Sequence, residues 1–197
     1  MLRFDGAIAG LGTASGTRIV VGMWPRSPYG PVTDVMLERP DGHRILIAPT
    51  DEFATFLRGE YRFDEVRVEP VLRMRDGRTW MIGTDDLALT FEVGGRPALG
   101  LALLAVPRTV ARSRWWAGAV NPIARAAMHG VRTRGRTFAG RREWYCAQDL
   151  QHVVSADARF EGVDLGELRP VEPPVEFGFS SVPVRPSLVR VLSQIAD

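Results

Sequence analysis

The sequence predicts a mainly β, β-rich α+β protein: an antiparallel β-barrel or strongly curved sheet of about ten strands with two or three helical insertions. Three observations predict it. Runs rich in Val and Ile recur along the chain, separated by Gly-, Asp- and Pro-bearing turns. Two of those turns, Pro40-Asp41-Gly42 and Asp76-Gly77, join runs short enough to be hairpins. No repeated strand–helix alternation suggests a parallel, doubly wound sheet.

Residues 2–12 mix apolar residues with Gly and read as a first strand, and Thr17 to Trp24 as a second. Pro25 to Pro31 is a loop by composition. Val32 to Arg39 and His43 to Ala48 form the first hairpin. Thr50 suits a helix N-cap, Asp51 and Glu52 suit the positive helix end, and Phe53, Phe56 and Leu57 share a face. Tyr61 to Arg75 reads as one or two strands broken at Pro70. Arg78 to Ile82 returns, and Leu87 to Val93 alternates apolar with polar or small residues, as a half-buried strand does. Pro107 to Gly130 is the main helical region, with Thr109 or Ser113 as cap and Pro122 as a break. Strands are expected again at Val131–Ala139, Arg142–Tyr145, Val153–Phe160, Val175–Ser181 and Leu188–Leu192. The whole, 1–197, reads as a single β-rich domain with a helical insertion near 107–130.

Composition narrows the chemistry. The chain has 197 residues, 45% hydrophobic and 24% charged, which is ordinary for a packed domain. All 25 basic residues are Arg. A Schiff-base lysine and a Lys-bearing phosphate loop are therefore excluded. The single cysteine, Cys146, allows neither an intrachain disulfide nor a cysteine zinc cluster. Met1 to Gly6 has no long apolar stretch, so no signal peptide is expected. The longest apolar run, Ala98 to Val106, has nine residues, against roughly 20 for a membrane span. A soluble, cytoplasmic protein is the expectation.

The motifs are weak ones. Gly10-Leu-Gly12-Thr-Ala-Ser-Gly16 is followed by strand-like sequence, so it reads as a turn rather than a phosphate cradle. His43, His129 and His152 lack metal-binding spacing; no metal and no cofactor is expected. Glu65, Arg67 and Glu69 share one strand face, either solvated or lining a polar cavity. Arg132, Arg134 and Arg136 would share another, with Arg141, Arg142, Glu143, Trp144 and Tyr145 close behind. Arginine pairs well with carboxylate or phosphate, and Trp and Tyr supply apolar walls. Trp24 and Tyr29 flank a loop of the kind that lines or plugs a pocket mouth. Arginines beside Trp115 and Trp116 suit an interfacial helix or a lid, but an ordinary helix packed over a barrel end is the favoured reading. With 23 acids present, nucleic acid is disfavoured as a partner.

The phrases Phe4-Asp-Gly-Ala-Ile-Ala-Gly-Leu-Gly, Gly22-Met-Trp-Pro-Arg-Ser-Pro, Arg141-Arg-Glu-Trp-Tyr and Phe177-Gly-Phe179 resemble those of an actinobacterial-type family of unknown function. The resemblance implies neither an activity nor site residues. In architecture alone the layout is similar to lipocalin-like and acetoacetate-decarboxylase-like barrels; the second family's Schiff-base lysine has no counterpart here.

The leading expectation is a binding module whose cavity holds a small apolar or amphiphilic anion. Arg67, Arg132 and Arg134 would meet its charge, and Trp24, Tyr29, Trp144 and Tyr145 would wall it. The alternative is a cofactor-independent enzyme using Glu65, Glu143 and His152 in general acid–base catalysis. A structural protein, homodimerising through its helical region, is a third reading.

Overall fold

The computed structural model describes residues 1–197, the side chain of Ala127 excepted. The strands are β1 (Leu2–Thr13), β2 (Arg18–Arg26), β3 (Val32–Glu38), β4 (Arg44–Ala48), β5 (Glu65–Val68), β6 (Leu72–Asp76), β7 (Thr79–Gly83), β8 (Leu87–Val93), β9 (Arg134–Arg136), β10 (Arg142–Phe160), β11 (Val163–Asp164), β12 (Leu168–Arg169) and β13 (Ser187–Ala196). The helices are α1 (Asp51–Glu60), α2 (Ala98–Ala105), α3 (Arg108–Ala111) and α4 (Arg114–Ala127). No helix among the described residues is long and apolar enough to cross a membrane.

Ten strands form one curled sheet in the order β5-β4-β3-β2-β1-β13-β10-β8-β7-β6. The pairings along it are antiparallel except β4 with β5. There α1 carries the chain back, as a parallel connection requires. Gly42 and Gly77, both at positive φ, turn the two expected hairpins. The first and last strands are partners, with Leu2 opposite Ile195. The two edge strands, β5 and β6, are separated in sequence only by Glu69-Pro70-Val71.

Alternation divides the strand residues between two cores. Leu11, Ile19, Val21, Val35, Leu37, Ile45 and Ile47 face inward against Ile82, Leu87, Leu89 and Phe91 from the far end of the sheet. Their neighbours on the other face, including Phe4, Trp24, Val32 and Leu46, pack under Phe53 and Leu57 of α1. The curl closes through Arg67. Its guanidinium bonds Glu65 on its own strand, Asp86 before β8 at 2.6 Å, and Glu161 after β10 at 2.6 Å. It also lies over the Phe160 ring.

Several local expectations are corrected. Helix begins at Ala98, not at Pro107, and it breaks at Val106–Pro107 and at Arg112–Ser113 rather than at Pro122, which lies inside α4. Ser113 caps α4 by accepting from the Trp116 N–H, and the Thr133 hydroxyl donates to the Ala117 carbonyl within that helix. The two strands expected at Arg142–Tyr145 and Val153–Phe160 are one 19-residue strand. Its pairing shifts register at Ala147/Asp149 and at Val153/Ser155. Only three residues of 131–139 are strand. Val175–Ser181 is irregular: the Val175 and Glu176 N–H groups donate to Ser181 Oγ and Glu38 Oε2 instead of to a ladder. Its Val175 and Phe177 pack on Val20 and Phe63.

Candidate functional site

The outer face of the sheet is roofed by α1, α2, α4 and the irregular 175–183 segment. Between sheet and roof lies a cavity of about 380 Å³, within the size range of small-molecule sites. Its floor includes Phe4, Ile8, Val20, Val189 and Val191; its roof includes Phe53, Leu103, Trp116 and Val120. The helix cap explains part of the roof. Thr50 Oγ1 accepts from the Phe53 N–H and fixes the first turn of α1. Phe53 and Phe56 then stack on Phe4 and meet the Tyr29 ring at a tilt.

Two carboxyl groups interrupt this apolar lining. Glu143, on β10, is fully buried, with 0% exposure. Its Oε1 accepts from the Tyr61 hydroxyl and from Ser193 Oγ, both at 2.8 Å. Its Oε2 has no hydrogen-bond partner. The Tyr145 hydroxyl stands beside the group, 3.4 Å from that of Tyr61. Burial pushes the Glu143 carboxyl up to about 7, the Tyr61, Ser193 and Tyr145 hydroxyls offsetting only part of the effect. Burial and the Glu143 charge hold Tyr61 and Tyr145 well above the ordinary phenol value.

Asp34, on β3, is the second. It is buried, and burial pushes it up to about 7 despite the hydrogen bond it accepts from Trp24 Nε1 at 2.9 Å. Its place depends on Gly22, its cross-strand neighbour. A Cβ at Gly22 would stand 2.5 Å from Asp34 Oδ1 and 2.7 Å from Trp24 Nε1. The absent side chain thus leaves the room in which the Trp–Asp pair forms.

The residues singled out from sequence fall into separate places. Glu143, Trp24, Tyr145 and Arg132 line the cavity; Arg132 is exposed and belongs to its rim. Tyr29 packs in the aromatic cluster behind Phe53. Glu65 and Arg67 belong to the ion-pair network that closes the sheet, where His43 joins Glu65 at 3.2 Å. The Arg67 guanidinium, pulled down by its partial burial, is raised on balance by Glu65 and Glu161. Arg134 and Arg136 belong to β9 and Arg132 precedes it; all three are exposed, alternating with buried Thr133 and half-buried Gly135, and Arg134 lies outside the cavity lining. Trp144 alternates away from Tyr145 and packs on Ala117 and Leu192, with Arg114 and Arg142 over its ring. His152 is half-buried outside the cavity, its pKa lowered by burial and by Arg185.

Asp34, Tyr61 and Ser193 escaped the sequence reading. Asp34 left one signal: it shares strand parity with Val32 and Met36, where an apolar residue is the norm. Tyr61 and Ser193 left none, since each reaches Glu143 from more than 40 residues away.

No protein-family model and no curated protein matches the sequence. Among solved structures, the chain is similar to an acetoacetate decarboxylase from Legionella pneumophila. The identity is 9%, with 99% of this chain and 84% of that chain covered, at a TM-score of 0.48.

Proposed function

We propose that the protein binds a small, largely apolar molecule in the cavity under α1, α2 and α4. One observation carries this reading: a largely apolar space of about 380 Å³ is interrupted by a buried carboxyl with an unpaired oxygen. Unpaired buried polar atoms are costly, and a ligand group reaching Glu143 Oε2 would relieve that cost. The polar end of the ligand meets Glu143, Tyr61 and Tyr145 rather than arginines. A carboxylate suits this end poorly, because two acids line the cavity and its arginine is confined to the rim.

The test is native mass spectrometry of the purified protein, with titration of N-phenyl-1-naphthylamine, a neutral apolar fluorophore. Expected are a bound mass lost on denaturation or saturable fluorescence enhancement. Ala147→Phe, which fills the cavity, reduces both. A protein with no bound mass and no probe binding, or a variant that binds the probe as well as the parent, overturns the reading.

Acid–base catalysis is a second reading, favoured by the titration of Asp34 and Glu143 near neutrality. Such a pair offers one carboxylate to take a proton and one carboxylic acid to give one. Ionised Asp34 would remove a proton beside a ligand carbonyl while Glu143 donates to its oxygen. Deuterium uptake from D2O into apolar ketones, abolished by Asp34→Asn, is the expected result. Uptake no faster than in buffer rejects catalysis and leaves binding standing.

A further inference from the structure

The net charge of +2 conceals a sharp partition. Residues 93–142 contain ten arginines and no acid, whereas the remainder contains fifteen arginines and all 23 acids. The segment comprises α2, α3, α4 and β9, of which α2 and α4 form much of the cavity roof. Arg96, Arg112 and Arg141 are neutralised by Asp149, Asp5 and Glu60. Arg108, Arg114, Arg125, Arg132, Arg134 and Arg136 are exposed and make no salt bridge among the described residues.

The same segment is apolar where water-facing helices are usually charged. Helix α2 has no polar side chain, and Leu101 is 59% exposed. On α4, Trp115 is 72% and Ile123 68% exposed. Trp115 shares a surface hollow with Arg114, Arg134 and Arg142. Leu99 and Ile123 are both exposed and both line the cavity, so the cavity reaches the surface between α2 and α4.

We propose that this acid-free helical face docks on an anionic lipid bilayer, with the cavity mouth turned toward the lipid. The arginines match the phosphate charge of the headgroups, at about a fivefold gain in partitioning for each one near the surface. Leu101, Trp115 and Ile123 enter the boundary between headgroups and acyl chains, as the apolar face of an interfacial helix does. A second copy of this chain is a poor occupant, because a symmetric dimer would bring the same uncompensated arginines together. Nucleic acid would use the arginines but leave the aliphatic side chains in water. The docking stands without the ligand-binding reading, which concerns the interior of the cavity.

The experiment is co-sedimentation of the full chain with vesicles of phosphatidylcholine alone and of phosphatidylcholine mixed with phosphatidylglycerol. Expected is binding to the mixed vesicles only, weakened by salt, with a blue shift of tryptophan emission that Trp115→Phe diminishes. The double variant Arg134→Glu/Arg136→Glu lowers partitioning by more than tenfold. Arg159→Glu, outside the acid-free segment, leaves it within twofold. Circular dichroism verifies that each variant is folded. Absence of binding to mixed vesicles, equal binding to both kinds, or equal loss in the Arg159 variant overturns the proposal. Retention of a single-stranded oligonucleotide in place of vesicles also overturns it, in favour of a nucleic-acid surface.

Discussion

Glu143 shows how one side chain makes stability depend on pH. Its ordinary carboxyl value is 4.5, and burial in the fold pushes it up to about 7. The folded protein therefore holds the proton more tightly than the unfolded chain does. Below pH 4.5 both states are protonated and the group imposes no ionisation cost. As pH rises the unfolded chain ionises first, so stability falls from about pH 4.5 and levels off above about pH 7. The loss is on the order of 3 kcal/mol. Asp34 contributes in the same direction. Glu143→Gln keeps an Oε1 acceptor for Tyr61 and Ser193 but does not ionise. In thermal melts, the variant should gain several degrees relative to the parent between pH 4.5 and pH 8. A difference that does not change with pH would mean that Glu143 does not ionise in this range.

At the level of elements, legibility followed the range of the interactions. The β3–β4 and β6–β7 hairpins were readable because Asp-Gly turns and flanking strands lie together in sequence. Helix α1 was readable because Thr50, Asp51, Glu52 and the Phe53/Phe56/Leu57 stripe all point to one conformation. Helix α2 was not, because a run apolar on every side has no amphipathic period. The strand expected at Val175–Ser181 failed for a different reason. Its alternation is genuine, but its backbone groups find side-chain partners and never meet another strand. The site was legible at Trp24, Glu143 and Tyr145 as residue types. Their convergence with Asp34 and Tyr61 was not, because it depends on the order of strands across the sheet and on a roof built from three helices.

For the whole molecule, the decisive feature is where the sheet ends. Both edges lie at the short Glu69–Val71 joint, and Arg67 ties that joint to Asp86 and Glu161. Arg67→Met would remove the cation that Glu65, Asp86 and Glu161 share, leaving Glu161 paired with Arg39 and Glu65 beside His43. The pairs are partly exposed, which limits the expected loss to about 1–2 kcal/mol in urea unfolding. High salt should shrink that loss. A loss insensitive to salt would assign it to packing over Phe160 instead. The strand order has a topological consequence as well. Residues 2 and 195 are already cross-strand partners. If the chain were joined there and opened between β5 and β6, the ten strands of that path would follow one another as β6, β7, β8, β10, β13, β1, β2, β3, β4, β5, with β9, β11 and β12 off it. That is the order of the sheet itself. The ten-strand path is thus a circular permutation of a sheet whose successive strands are neighbours, antiparallel except for the β4–β5 pair that α1 connects. In that order the long-range pairing of β1 with β13 becomes a contact between consecutive strands.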